Sequence, residues 1–223
     1  MKLLALDAAT EACSAALLRD GQMSDRYEVI GRGHAGRLLP MADELLTEAH
    51  LTPADLDAIA FGRGPGGFTG LRIAAGIAQG LAAGAARRVV PVSNLAAVAA
   101  GAARASGAER ILVCMDARMG QVYWAAFDCS GAIPLALTEE LLNDPAQVMP
   151  PAGDSWFAAG HGLAAFPQLA ARLAGRLSGA DPGLLPRAAD IARIAALEYE
   201  QGKAVDATRA LPVYLRDDVV HRR

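Results

Sequence analysis

Lys2-Leu3-Leu4-Ala5-Leu6-Asp7 and, far downstream, Arg110-Ile111-Leu112-Val113-Cys114-Met115-Asp116 share one design. In each, an unbroken apolar run stops at an aspartate, the pattern of a buried strand. The segments beyond the two aspartates are also alike. After Asp7 comes a second apolar run, Ala15–Leu18, which ends at Arg19-Asp20-Gly21. Asp-Gly there marks a hairpin, and Met23–Ile30 supplies a third strand. After Asp116, Gln121–Phe127 is an apolar strand ending in a turn at Asp128–Gly131, with Ala132–Thr138 its expected partner. Two similar halves that meet near Ser106–Glu109 are therefore expected.

Helices fill the space between strands. Leu38, Leu39, Met41, Ala42, Leu45, Leu46 and Ala49 recur at helical spacing, with Pro40 expected in the first turn. Thr52-Pro53-Ala54-Asp55 reads as a capped helical turn, and Asp57–Gly62 as a buried strand. Thr69 is the expected cap of a second helix running to about Ala83. A strand at Arg88–Val92 and an alanine-rich helix at Asn94–Ala105 complete an α/β half with a mixed sheet. In the second half, Trp156–Gly160 reads as a strand, with helices near Leu163–Leu177 and Ala188–Gln201.

Composition narrows the function. The chain has 223 residues, 53% hydrophobic and 20% charged, enough to bury a core and too apolar for disorder. Its 21 basic and 24 acidic residues leave a net charge of −3 with no basic stripe, which argues against a stand-alone nucleic-acid binder. Cys13, Cys114 and Cys129 are odd in number and form no CxxC pair. They read as buried small hydrophobes in a reducing compartment. Met1–Leu6 reaches Asp7 too early for a signal core. Ile73 to Ala86 contains Gln79 and falls short of the roughly 18–20 residues a membrane span needs. A soluble, cytoplasmic protein is expected.

Three features carry candidate chemistry. Asp7 with Thr10, at the carboxyl end of the first strand, fits either a metal-bound phosphate or an aspartate bonding its own turn. Gly62-Arg63-Gly64-Pro65-Gly66-Gly67-Phe68-Thr69-Gly70-Leu71-Arg72 joins a strand to a helix. It is neither a P-loop nor a Rossmann fingerprint. It fits an anion cradle at a helix N-terminus or a tight turn with no ligand. Gly76, Gly80 and Gly84, with Ala75 and Ala83 beside them, form a small-residue ridge. That ridge packs either on the chain's own sheet or on another subunit. His34, His50, His161 and His221 spell out no metal site, and His34 is expected in an exposed loop. There is no Gly-x-Ser-x-Gly elbow, and Ser14, Ser93 and Ser106 have no adjacent base.

Leu3-Leu4-Ala5-Leu6-Asp7-Ala8-Ala9-Thr10, His34-Ala35-Gly36-Arg37-Leu38-Leu39-Pro40, Gly64–Arg72 and Pro212-Val213-Tyr214-Leu215-Arg216 together resemble the bacterial TsaB (YeaZ) family. The resemblance implies an actin-like (ASKHA) fold of two ribonuclease-H-like lobes, each a mixed β-sheet flanked by helices, here residues 1–107 and 108–223. It implies a part in making threonylcarbamoyladenosine at position 37 of tRNAs that read codons beginning with A. In that pathway the transfer belongs to the paralogue TsaD, whose His-x-x-x-His metal dyad falls here on Asn94 and Val98. Asparagine is a feeble ligand for a transition metal and valine is none. No catalytic residue, no metal and no cofactor of its own is therefore expected, with ATP or ADP bound only within the complex.

The implied role is a scaffold that pairs with TsaD through the two N-terminal helices. The expected interface is Leu38, Leu39, Met41, Ala42, Leu45, Leu71, Ala74, Ala75 and Ala78. A homodimer through the same patch is expected in isolation. TsaE is expected to dock on the heterodimer, tRNA is met only through the complex, and no membrane is involved. Asp7, Thr10, Gly64, Gly66 and Gly67 form an expected vestigial anion site, which Gly67 weakens because many members carry serine there. The alternative is a small ASKHA-type nucleotide-dependent phosphotransferase using Asp7 and the glycine loop.

Overall fold

The computed structural model describes residues 1–153 and 155–216. The first three strands, β1 (Lys2–Asp7), β2 (Ala12–Arg19) and β3 (Gln22–Val29), form an antiparallel meander. Helix α1 (His34–Glu48) comes next, then β4 (Ala58–Gly64), α2 (Phe68–Ala85), β5 (Arg88–Ser93) and α3 (Asn94–Ser106). β4 joins β1 in parallel and β5 joins β4, giving one mixed sheet in the order β3-β2-β1-β4-β5. The apolar runs of β1 and β4 are buried because helices cover both faces of this sheet.

The second half repeats the plan. β6 (Arg110–Asp116) and β7 (Val122–Asp128) form an antiparallel pair, and β8 (Leu135–Ala136) and β9 (Leu141–Asn143) both pair with β7. β10 (Trp156–Ala159) lies parallel to β6. Helices α4 (Gly162–Ala165) and α5 (Pro167–Leu173) lead to β11 (Leu177–Asp181), which closes the edge of the sheet, and α6 (Ala188–Glu200) comes last. The two mixed sheets flanked by helices make an actin-like α/β fold of two lobes.

The helices between the sheets are exchanged. α3, from the first half, packs chiefly on β6 and β10, whereas α6 returns to β1, β2, β4 and β5 of the first sheet. One core therefore runs through both lobes: Leu3, Ala60 and Val90 from one sheet, Leu95 and Ile191 from the helices, Ile111 and Phe127 from the other sheet. Alanine-rich helices suit this middle layer, because small side chains let both sheets approach. A second core lies under α1 and α2 on the outer face of the first sheet. A third holds Trp124, Trp156 and Leu169 on the outer face of the second.

Several expectations are corrected. α1 begins at His34, so His34 opens a helix and Pro40 sits inside it, where it leaves the Gly36 carbonyl without its usual donor. α2 is capped by Gly67, with Thr69 inside its first turn. The helix expected over Leu163–Leu177 breaks at Phe166–Pro167, since proline starts a helix but cannot continue one, and Leu177 begins a strand. Within Ala132–Thr138 only Leu135 and Ala136 form a strand, and β9 has no counterpart among the expected strands. The Thr52–Asp55 turn does carry its capping box. The thiols of Cys13 and Cys114 are buried, and burial pushes them up to about 11 and about 12. Among the described residues no helix is long and apolar enough to cross a membrane. His221 and the rest of Asp217–Arg223 lie outside the described residues.

Candidate functional site

The carboxyl ends of β1 and β4 meet the start of α3 at Asp7. Its side chain is 0% exposed. The Asn94 amide donates to Oδ1 at 2.6 Å, and the Ala9 N–H donates to Oδ2 at 3.3 Å. Asn94 Oδ1 in turn accepts from the Gly64 N–H at 2.7 Å. Burial pushes the Asp7 carboxyl up to about 6, and the hydrogen bonds from Asn94 and Ala9 partly oppose that rise. Gly62 is required here, because a Cβ would stand 2.1 Å from Asp7 Oδ1. Asp7 and Asn94 thus knit three elements together. Asn94 spends its amide on this network, and Val98 lies in the core between the sheets.

The glycine loop is seated on backbone. Gly67 N–H donates to the Ala9 carbonyl at 2.7 Å. A Cβ on Gly66 would lie 2.6 Å from the Ala9 oxygen, and one on Gly70 would lie 1.7 Å from the Ala8 oxygen. The loop's glycines therefore let the first turn of α2 press against the β1–β2 turn. Thr10 Oγ1 accepts from the Ala12 N–H at 3.2 Å, closing its own turn.

Beside this contact a cavity of about 760 Å³ opens between the lobes. Thr10, Glu11 and Gly66–Gly70 form one wall, and Phe68–Gly70 bring the free N–H groups that begin any α-helix. Met115–Met119 and His161 form the opposite wall, Arg32 and His34 one end, and Val213–Arg216 the mouth. Of the residues expected at an anion site, Thr10, Gly66 and Gly67 line this cavity, while Asp7 and Gly64 lie behind its wall. His34 Nε2 and His161 Nδ1 are buried without a hydrogen-bond partner. Burial also holds the His161 imidazole below its ordinary range, against the pull of Glu11 and Asp116. Sequence spacing could not find this group, because its members converge from six separate segments.

The helix pair shows a second geometry. Leu38, Met41, Ala42, Leu45, Ala74, Ala75 and Ala78 are buried in the chain's own core under α1 and α2, and Leu71 is buried as well. Only Leu39 of the expected interface set faces out, at 47% exposure. The ridge lies on the open side: a Cβ on Gly76, Gly80 or Gly84 would meet nothing within 4 Å. Ile73 and Ile77 flank it, half-buried.

A doubly repeated mixed sheet with an interlobe cleft defines the class: an actin-like α/β protein. The family model described as "TsaD: tRNA N6-adenosine threonylcarbamoyltransferase" matches residues 27–211. The chain is 42% identical over 227 residues to the tRNA threonylcarbamoyladenosine biosynthesis protein TsaB of Escherichia coli (strain K12), covering 100% of this chain and 98% of that one. It is 38% identical over 232 residues to the TsaB of Haemophilus influenzae, covering 100% and 97%. The solved structure of YeaZ from Pseudomonas aeruginosa superposes with a TM-score of 0.91 at 46% identity, covering 96% of this chain and 99% of that one. The chain belongs to the TsaB (YeaZ) family.

Proposed function

We propose that this chain acts in tRNA threonylcarbamoyladenosine formation as a non-catalytic subunit that docks on TsaD and activates it, serving position 37 of tRNAs that read ANN codons. The observation that carries the reading is the open ridge of Gly76, Gly80 and Gly84 on α2, beside the exposed Leu39 of α1. Each helical glycine costs about 0.5–1 kcal/mol against alanine, and among the described residues nothing needs these three to be small. Close approach by a partner helix accounts for them. The dyad positions support the same reading, since Asn94 and Val98 are committed to internal contacts.

In this reading the lobes are residues 1–107 and 108–223. An isologous homodimer forms through the ridge and gives way to a heterodimer, on which TsaE docks. ATP or ADP and tRNA enter only with the complex. The phosphotransferase alternative needs Asp7 in the cavity, and its sealed carboxylate lends that no support.

Light-scattering chromatography and a reconstituted modification assay test the proposal. Wild type should pass from homodimer to a one-to-one complex when TsaD is added. Gly80→Arg should keep the fold, since arginine is a better helix former than glycine, yet lose the complex and the modification. Full modification with Gly80→Arg would refute the docking surface.

A further inference from the structure

After α6 the chain doubles back across the first lobe as an extended strap, residues 203–216. Val205 exchanges main-chain hydrogen bonds of 2.8 and 2.9 Å with Val89 of β5, and Asp206 pairs with Arg88. Ala210 is fully buried in the outer core, and its carbonyl accepts from Gln79 of α2 at 3.0 Å. Val213 N–H donates to the Arg63 carbonyl of β4 at 2.7 Å. Gly64 admits that contact, since a Cβ there would stand 2.5 Å from the Val213 oxygen. Tyr214 accepts a hydrogen bond from Arg72 Nε at 3.0 Å, and its ring lies 5.2 Å from Phe68.

At Arg216 the strap leaves the first lobe and reaches the second. Arg216 Nη2 donates to the Ala117 carbonyl at 3.1 Å, and Nη1 approaches Met119 Sδ at 2.9 Å. The receiving turn is unusual: Arg118, Met119 and Gly120 have φ of 62°, 55° and 74° in succession. The first of the two side chains in the left-handed region is held there by Asp116, which accepts from the Arg118 N–H at 2.8 Å and from its guanidinium at 3.1 Å. On another flank Arg63, whose carbonyl anchors the strap, pairs with Glu140 of the second lobe at 3.1 Å.

We infer that residues 203–216 are an interlobe clasp, and that Arg216 on the Ala117–Met119 turn is its releasable link, holding the cleft closed. The contacts are asymmetric in the way a clasp requires. Burial and main-chain pairing fix the strap to the first lobe, whereas among the described residues its polar hold on the second is one guanidinium on an exposed turn, beside the half-buried Leu215. Behind the cleft the lobes share a continuous core, so separation must occur at the mouth.

Pulsed electron–electron distance measurement tests this on the protein alone, independently of any partner. Nitroxides go on Arg32→Cys and Gln168→Cys, both exposed and on opposite lobes, in a Cys129→Ser background diluted with unlabelled chain. With Arg216 present, a single narrow distance is expected. Arg216→Ala should lengthen the mean distance and broaden the distribution. Val213→Pro, which removes the N–H given to Arg63, should shift it the same way. Unchanged distributions in both variants, with circular dichroism reporting an intact fold, would overturn the clasp.

Discussion

At the scale of single residues, Asp7 and Gly80 each make a contribution that can be measured. Asp7 is buried, and its carboxyl is pushed up to about 6 from an ordinary 3.8. The folded state therefore holds the proton more tightly than the unfolded chain, so this group's contribution to stability rises as pH falls from 7 to 5. The gain over that window is about 1.4 kcal/mol. His161 works the other way: burial keeps it neutral when folded, so its contribution falls as pH drops below its ordinary range. The Asp7 part is isolated by difference. Denaturant unfolding of wild type minus Asp7→Asn should climb by that amount between pH 7 and 5, and parallel curves would show that Asp7 titrates as it does unfolded. Gly80→Ala is a simpler case. With open space around the added Cβ, it should raise stability by about 0.5–1 kcal/mol in the same assay.

At the scale of elements, the sequence pattern locates both N-terminal helices but points to the wrong side of them. Apolar residues at i, i+3, i+4 and i+7 mark the face a helix turns to its own sheet, and Leu38, Met41, Leu45, Ala74 and Ala78 all lie there. The outward face is marked instead by Gly76, Gly80 and Gly84, residues that a hydrophobicity pattern does not weigh. The two faces respond differently to charge. Leu45→Glu buries a carboxylate in the outer core and should cost about 3–5 kcal/mol, seen as a fall of many degrees in melting temperature. Gly80→Arg should leave the melting temperature unchanged or raised while abolishing association. Strands are more legible than helices, because the apolar runs of β1, β4 and β6 are buried on both faces and leave no side to choose. The cavity is legible only along its Thr10, Gly66 and Gly67 wall: His34 and His161 lie far apart in sequence, and only the folded sheet ends bring them to one cleft.

At the scale of the whole molecule, the repeat visible as two strands ending in aspartate gives two lobes in sequence, yet their inner faces share a single core. Alanine-rich α3 and α6 have the same pattern whichever sheet they cover, so their exchange could not be read from spacing. Its consequence is cooperativity. With α3 packed on the second sheet and α6 on the first, neither sheet keeps its inner cover if the other unfolds. Both lobes should therefore melt in one transition. Trp124 and Trp156 both lie in the outer core of the second lobe, so tryptophan fluorescence reports that lobe, while far-ultraviolet circular dichroism reports both. The two signals should give coincident midpoints in urea. Leu95→Ala, in the layer shared by both sheets, should cost about 2–5 kcal/mol and move both midpoints together. If fluorescence held its midpoint while the dichroism shifted, the lobes would be separate folding units and the shared core would not couple them.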